Sequence, residues 1–248
     1  MNVICFEYTG RFGHFLKAEA NASAPSYPIP PKTVLLGLLG AVLGLAKDTP
    51  QIALKNAHLA LGGKIPDTHW HSANLRKKPP APLSYTIKRS ANTIKRNAKE
   101  DRRSSKPNNT IISQEWLIKP RYQVWANIPD PFHTDLAQRL QDRRWHFSPC
   151  LGLSEMAAEL NFIGEYSSEI LPNGKHWINT ALRRDAGNLD VDLACEQELA
   201  IHMLRMPRDV SPERQFQHEA YYVEREGLPI PVITDQAWQI GKDKVVFL

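Results

Sequence analysis

Residues 25–48 read PSYPIPPKTVLLGLLGAVLGLAKD, and this pattern predicts a buried helix close to the start of the chain. Its four prolines hold the chain extended until about Lys32 or Thr33, because proline is tolerated only up to the first turn of a helix. Leu and Val cover most of the helix surface that follows. Three glycines at i, i+3 and i+7 leave one smooth stripe on it: Gly37, Gly40 and Gly44.

The glycine stripe indicates that another group approaches the helix closely. Tight packing of the helix on a sheet is the commoner cause of such a stripe, and approach of a ligand is the alternative. The start of the helix, with Lys32 and Thr33, is also a natural seat for an anion, because its free backbone N–H groups and the helix dipole favour negative charge.

The residues before the prolines predict a strand and then a turn. Val3 to Tyr8 alternates small and large β-forming residues, which favours a strand near the centre of a sheet. The turn TGRFGHF that follows brings three basic side chains close to aromatic ones: Arg11, His14 and Lys17. Such a turn can cradle a phosphate or stack a base, and a plain strand exit is the alternative.

Downstream of the helix, the pattern predicts more strands and one more helix. Strands are expected at residues 57–61 and near Trp70, leading into an arm, and again at Arg121–Asn127 and Asn161–Ile170, with a helix at Pro131–Arg144. The order β-α-β-(arm)-β-α-β is typical of an α/β (α+β) domain of the ferredoxin-like, RRM-like class. The sheet of such a domain is a common platform for single-stranded RNA.

Positive charge is concentrated in one part of the chain. The whole chain carries 31 Lys or Arg and 26 Asp or Glu, a net charge of +5. The window 71–122 holds 13 basic and 3 acidic residues, a net of +10, which leaves 18 basic and 23 acidic residues elsewhere, a net of −5. Because Lys and Arg release counterions from any polyanion, this asymmetry favours contact with a nucleic-acid backbone.

The basic window also has the pattern of a long hairpin. Leu83, Tyr85 and Ile87 alternate on one side, and four apolar residues return on the other: Ile111, Ile112, Trp116 and Ile118. The residues between them are mostly basic, small or polar and cannot form a core. We therefore predict a β-arm with a basic tip. A solvated lysine-rich loop and an arm that docks an acidic protein are the alternatives.

Composition argues against several classes of protein. The apolar run Val34–Ala46 is shorter than the roughly 20 residues that span a bilayer, and no basic lead of a secretory signal precedes an apolar stretch, so no membrane partner is expected. Three widely spaced cysteines favour a reducing cytoplasm over a disulfide framework or zinc site: Cys5, Cys150 and Cys195. His69 and His71 share a strand face without a third ligand, so neither a metal nor a cofactor is expected.

The common hydrolase and nucleotide-binding motifs are absent from the sequence. A metal-independent ribonuclease, however, needs only a base, an acid and a cation, and His14, Tyr27 and Lys32 are of the right types. Residues of these types are common in any RNA groove, so they are weak evidence for catalysis.

Two stretches resemble a known family. GRFGHF followed by SYPIPPKTVLLGLLGAVLG resembles the amino-terminal signature of CRISPR-associated RAMP proteins of the fifth Cas family, and LQDRRWHFSPCLGLSEMAAELNFIGEY resembles its type I-B members. They lie near the two ends of residues 1–170, so the resemblance extends over most of that region, whereas the last 40 or so residues add little. The resemblance implies an RRM-like RAMP domain at residues 1–207, with an inserted basic thumb hairpin at about 71–122, and a small extension at 208–248.

The resemblance also implies a role in antiviral defence. Such a subunit is similar to a cap on Cascade, a CRISPR surveillance complex: it binds the 5′ handle of the CRISPR RNA (crRNA) and contacts the large subunit and the first backbone subunit. Target DNA near the PAM end is a further expected partner. The type I-C branch cuts precursor RNA with Tyr, Lys and His, but the helix interior here holds no tyrosine, so a non-catalytic subunit is expected. An endoribonuclease that processes CRISPR repeats is the alternative.

The residues expected to contact RNA come from the turn, the helix start and the arm. They are Arg11, His14, Lys17, Tyr27, Lys32, Thr33, Lys88, Arg89, Lys95, Arg96, Arg102, Arg103, Trp116 and Arg121.

Replacing Arg102 and Arg103 with alanine is expected to weaken binding of single-stranded RNA. Each lost phosphate contact lowers the slope of log affinity against log salt by roughly 0.7, because fewer counterions are released. Filter binding across a salt series measures this slope. An unchanged slope would remove both residues from the interface.

Overall fold

The computed structural model describes residues 1–17, 19–76, 109–211 and 213–248, and Leu83, Tyr85 and Ile87 lie outside them. Strands predominate: β1 (Asn2–Gly10), β2 (Phe12–Gly13), β3 (Phe15–Leu16), β4 (Ser26–Tyr27), β5 (His58–Gly62), β6 (Asp67–Arg76), β7 (Asn109–Ile118), β8 (Arg121–Asn127), β9 (Ala158–Ile170), β10 (Gly174–Ile178), β11 (Leu182–Arg183), β12 (Asn188–Leu189), β13 (Ile201–Val210), β14 (Phe216–Glu224), β15 (Ile230–Thr234), β16 (Trp238–Ile240) and β17 (Asp243–Val245). Helices in these ranges are α1 (Lys32–Leu43), α2 (Pro50–Ala53), α3 (Phe132–Gln141) and α4 (Val191–Glu196), with a 3-10 turn at Arg184–Ala186. The fold is a strand-rich α+β mixture, and no helix of the described ranges is long and apolar enough to cross a membrane.

A six-stranded antiparallel sheet forms the centre of the protein, in the order β17-β16-β9-β1-β8-β5. β1 lies between β9 and β8, so the opening strand is central, as its composition predicted. Because side chains alternate along a strand, Ile4, Phe6 and Tyr8 share one face of β1. Each is 0% exposed, and they form the middle of the main hydrophobic core.

Two strand–helix–strand units build the middle of this sheet. β1 leads through α1 to β5, and β8 leads through α3 to β9. β1 and β5 both run antiparallel to β8, and β8 and β9 both run antiparallel to β1. The two units are therefore interleaved. Their helices contact each other and contribute to the same core, which places them on one side of the sheet.

The glycine stripe of α1 faces α2 and the segment after α3, not the sheet. A Cβ at Gly40 would lie 2.1 Å from Pro50 Cγ, whereas Gly37 has open space on that side. Gly44 ends the helix in the left-handed conformation, φ +80°, against the ring of His146. The expectation of close helix-to-sheet packing through the glycines was therefore wrong, because the larger leucines of α1 fill the space above the sheet.

β6 and β7 form a hairpin that lies outside the central sheet. Its strands pair antiparallel from Asp67 opposite Ile118 to Arg76 opposite Asn109, so the pairing begins before residue 71. β2 pairs with the other edge of β7 and makes this a three-stranded sheet. Only Lys119 and Pro120 separate β7 from β8, so Arg121 already belongs to the central sheet.

The C-terminal residues are part of the body of the protein. The expected boundary after residue 207 falls inside β13, which pairs along its length with β14. β16 pairs with β9 and with β17, so these strands extend the central sheet. Residues 208–248 therefore pair with strands of the body. Local sequence patterns do not reveal this relation, because the pairing spans about 70 residues of chain.

Two glycines provide a matched test of this packing. Gly152 has φ +92°, and a Cβ there would lie 1.8 Å from the backbone oxygen of His14, whereas a Cβ at Gly37 meets nothing within 4 Å. Gly152→Ala is expected to lower the free energy of unfolding by more than about 1 kcal/mol. Gly37→Ala is expected to raise it by roughly 0.5–1 kcal/mol, because alanine favours a helix. Urea denaturation measures both, and equal effects would contradict this packing.

Candidate nucleic-acid interface

Other segments of the protein cover the start of α1. Lys32 is 7% exposed, and its Nζ donates to the backbone oxygen of Leu248 at 3.3 Å. Burial, reinforced by the positive charge of Arg208, lowers the pKa of Lys32. Thr33 is half-buried, and its carbonyl oxygen accepts a hydrogen bond from Gln51 Nε2 at 2.8 Å. The structure thus departs from the open anion seat that Lys32 and Thr33 predicted, because distant parts of the chain fold over the helix end.

His14 and Tyr27, two further predicted RNA contacts, lie inside the protein. They are 2% and 3% exposed, respectively. The ring Nδ1 of His14 lies 2.8 Å from the backbone oxygen of Glu115, which ties the turn to β7. Together with Lys32, they are the three groups of the ribonuclease alternative. All three side chains are therefore buried in the folded protein.

Three basic side chains surround the base of the hairpin: Arg11, Lys119 and Arg121. They line a cavity of about 440 Å³, together with Glu7 and Glu159. Lys119 and Arg121 also line a neighbouring cavity of about 610 Å³, which includes Lys64. Arg121 Nη2 lies 2.5 Å from Glu7 Oε1, but the arginine side chain is 73% exposed. Such an exposed ion pair contributes little stability, so a phosphate can compete with Glu7 for the guanidinium.

A row of aromatic rings lies beside these basic groups. The ring centroid of Trp116 is 5.2 Å from that of Phe12 and 4.1 Å from that of His71. Arg11 Cζ lies 5.2 Å from the centroid of Phe12. Cations next to half-exposed rings are suited to a nucleic acid, which offers phosphates and flat bases together. Of the predicted contacts, the structure therefore places three at this surface: Arg11, Trp116 and Arg121.

The other predicted contacts lie elsewhere. Lys17 is half-buried, with its Nζ 6.0 Å from the ring centroid of Tyr27. Six basic residues of the arm lie outside the described residues: Lys88, Arg89, Lys95, Arg96, Arg102 and Arg103.

Sequence reasoning missed Lys64 and Lys119 as members of this surface. A usable signal existed for Lys119, which lies two residues before Arg121 within the basic window. No local signal pointed to Lys64, which reaches the surface only because the turn after β5 lies beside the start of β8.

The sheet face opposite the helices is not an open aromatic platform. Cys5 and Trp125 on this face pack against Ile240 and Val245 of the C-terminal strands. Burial raises the pKa of Cys5 to about 11. Further along β1, the same face carries Glu7, which pairs with Arg121. The expected RNA platform on the sheet is therefore partly covered, and the exposed rings lie on the hairpin instead.

No metal site is apparent in the part of the chain that the structure describes, because no three His, Cys, Asp or Glu side chains there could hold an ion together. His69 and His71 do share a face of β6, as their spacing predicted. His71 uses that face to stack on Trp116.

Comparison with known proteins identifies a family. A family model described as "CRISPR-associated protein (Cas_Cas5)" matches residues 3–189. No curated protein matches the chain. A solved structure titled "CRISPR RNA-guided surveillance complex" is similar with a TM-score of 0.54 and 13% identity, covering 92% of this chain and 91% of that one. A CRISPR protein from Archaeoglobus fulgidus is similar with a TM-score of 0.53 and 12% identity, covering 99% of this chain and 98% of that one.

The two similarities in structure concern the fold, since both identities are low. The family model covers three quarters of the chain, including β1, the proline segment, α1, the hairpin strands and α3. The chain therefore belongs to the CRISPR-associated Cas5 family.

Proposed function

We propose that this protein is a non-catalytic subunit of a CRISPR surveillance complex of the Cascade type and holds the 5′ handle of the crRNA at the base of its hairpin. The observation that carries this proposal is the joint placement of Arg11, Lys119, Arg121 and the Phe12–Trp116–His71 rings on one surface. Membership of the Cas5 family supports the CRISPR context, and one structure of similar fold is titled as an RNA-guided surveillance complex.

In this proposal the interleaved core is a ferredoxin-like, RRM-like RAMP domain and the β6–β7 hairpin is its thumb. The order β9-β1-β8-β5, with both helices on one side, supports the first part. The sequence between the two hairpin strands, residues 77–108, contains ten Lys or Arg and two acids, which supports the second. RNA then follows the basic surface at the hairpin base, and the basic sequence beyond it contributes further phosphate contacts.

The same proposal assigns the partners. The large subunit and the first backbone subunit of the complex bind the protein, target DNA passes near it at the PAM end, and the complex acts in the cytoplasm in antiviral defence. The stretch 140–166, which resembles type I-B members, supports that subtype.

Burial of the candidate catalytic groups supports a role without RNA cleavage. His14, Tyr27 and Lys32 are 2%, 3% and 7% exposed. A general base must approach the group that it deprotonates to about 2.6–3.2 Å between heavy atoms, and a ring that is only 2% exposed offers little access to an RNA hydroxyl. α1 from Lys32 to Leu43 also contains no tyrosine.

Removing the three surface cations is expected to reduce the salt dependence of RNA binding. In the variant Arg11→Gln/Lys119→Asn/Arg121→Gln, asparagine preserves the left-handed backbone of Lys119, where φ is 48°. The slope of log affinity against log salt for the labelled crRNA handle should fall by about 2, since each phosphate contact contributes roughly 0.7. Filter binding between low and high salt measures it.

Lys55→Gln is the matched control for this variant. Lys55 is exposed, and it follows α2, away from the hairpin. The slope of log affinity against log salt for Lys55→Gln should equal that of the wild type. A triple variant with the wild-type slope would exclude the hairpin base as the RNA site.

The purified protein is expected to bind labelled CRISPR repeat RNA in EDTA without cleaving it. Native gels measure binding, and denaturing gels over a time course measure cleavage. Site-specific cleavage that persists in EDTA, and that is lost in His14→Ala, would contradict the non-catalytic role and favour the endoribonuclease.

A further inference from the structure

The hairpin of β6 and β7 joins the central sheet through two short connections. One is residues 119–120, which are bonded to the backbone of Gly10 and Arg11. The other is the β5–β6 turn, residues 63–66. Gly63 begins this turn with φ +124°, and a Cβ there would lie 2.7 Å from the backbone oxygen of Arg121. The β5–β6 turn therefore lies directly against the start of β8, and its position sets where β6 begins.

A second turn supports the β5–β6 turn from the C-terminal part of the chain. It is the β14–β15 turn, residues 225–229. The backbone N–H of Ile65 donates to the backbone oxygen of Arg225 at 2.8 Å. Gly227 has φ +78°, and a Cβ there would lie 2.9 Å from the carbonyl carbon of Gly63. Because the two backbones are in contact, a shift of the β14–β15 turn displaces the β5–β6 turn.

The buried carboxylate of Glu224 shapes the β14–β15 turn. Glu224 is the last residue of β14 and is 3% exposed. Its Oε2 accepts hydrogen bonds from the backbone N–H groups of Glu226 at 2.7 Å and Leu228 at 2.8 Å. Its Oε1 accepts one from the backbone N–H of Ala200 at 3.2 Å. Hydrogen bonds from N–H groups to a carboxylate are stronger than those to a neutral acceptor, so this one side chain holds the turn in its conformation.

Lys64 connects this support to the proposed RNA surface. Its Nζ lies 2.6 Å from Glu226 Oε2, and the two side chains are 57% and 50% exposed. Lys64 also lines the cavity of about 610 Å³ together with Lys119 and Arg121. Because such an exposed ion pair contributes little stability, an RNA phosphate can compete with Glu226 for the ammonium group. The position of the β5–β6 turn thus decides whether Lys64 lies beside the cations of the hairpin base.

We propose that Glu224 is a positioning residue for RNA binding: it orders the β14–β15 turn, which fixes the β5–β6 turn and holds Lys64 where it contacts an RNA phosphate. The proposal rests on the function proposed above and adds Lys64 to its phosphate contacts. It also gives a part in RNA binding to a segment that follows residues 3–189, the region matched by the family model. Glu224 acts through Lys64, because its own carboxylate is buried.

Glu224→Ala is expected to remove one phosphate contact from RNA binding. The slope of log affinity against log salt for the labelled crRNA handle should fall by roughly 0.7, because Lys64 no longer lies beside the other cations. Lys64→Gln should give the same fall, and the double variant should show no further one. Filter binding with the full-length protein measures the four slopes. If Lys64→Gln lowers the slope equally with and without Glu224, the proposal is overturned.

Glu224→Gln separates the position of the turn from the charge of the side chain. The amide oxygen of glutamine can still accept the hydrogen bonds from Glu226 and Leu228, so the turn and the slope should both be preserved. A role through charge alone predicts instead that Glu224→Gln and Glu224→Ala both bind RNA more tightly, because each loses a negative charge near a polyanion. Tighter binding by both variants would therefore contradict the positioning role.

Two further variants separate positioning from a general loss of stability. Gly227→Ala pushes the β14–β15 turn against Gly63 without removing a hydrogen-bond acceptor, and it should lower the slope as Glu224→Ala does. Leu140→Ala truncates a leucine of α3 that is 1% exposed, so it should lower the melting temperature without changing the slope of the folded protein. A fall in slope with Leu140→Ala as large as that with Glu224→Ala would sink the proposal.

Hydrogen exchange tests the structural step without RNA. The amide of Ile65 should lose protection in Glu224→Ala, because its acceptor Arg225 lies in the turn that Glu224 orders. The amide of Lys119, which donates to Arg11 at the other connection, should keep its protection. Unchanged protection of Ile65 would show that the β14–β15 turn does not depend on Glu224, and the proposal would be wrong.

The outcomes distinguish the positioning role from the proposed function. If RNA binding by the wild type depends on salt and Lys64→Gln lowers the slope but Glu224→Ala does not, the positioning role is overturned and the RNA-binding function stands. If Lys64→Gln leaves the slope unchanged, Lys64 is not a phosphate contact and the inference again fails alone. If the wild type binds no RNA under any salt condition, the proposed function fails and the positioning role fails with it.

Discussion

The burial of one face of β1 is the constraint on which the other elements depend. Ile4, Phe6 and Tyr8 are completely closed to water, so the elements that cover them must stay in place. The hydroxyl group of Tyr8 donates to the backbone oxygen of Cys150 at 2.6 Å, and that of Tyr122 on the neighbouring strand donates to Pro28 at 2.7 Å. A buried hydroxyl without a partner costs about 1–3 kcal/mol, so these bonds fix two loops over the sheet. One of them contains the proline segment that leads into α1.

Local sequence patterns predicted several of the strands and helices that pack around β1. The proline-led helix begins at Lys32, β1 lies at the centre of the sheet, and Arg121–Asn127 forms a strand with the expected bounds. Each of these signals lies within a dozen consecutive residues. The concentration of basic residues likewise identified the chain segment that contains the hairpin, because a charge count does not depend on how the chain folds.

The structure departs from the sequence-based expectations where distant residues meet. The stripe of glycines on α1 is real, but its partners, Pro50 and His146, could not be inferred from the helix alone. Lys32 has the right chemistry for an anion, yet a residue more than 200 positions away accepts its hydrogen bond. His14 illustrates the same difficulty, since a histidine in a glycine turn resembles a surface ligand until β7 covers it. Burial of a polar group depends on tertiary contacts, so the periodicity of the sequence is a poor guide to it.

The connection between β7 of the hairpin and β8 of the central sheet is short and carries two backbone hydrogen bonds. Lys119 N donates to the backbone oxygen of Arg11 at 3.0 Å, Gly10 N donates to that of Pro120 at 3.2 Å, and β8 begins at the next residue. Proline also fixes its own backbone angle, so few torsions remain that could absorb a bend. A load on β7 would therefore reach the β1–β8 ladder through these two backbone hydrogen bonds, because no loop lies between the two strands to absorb it.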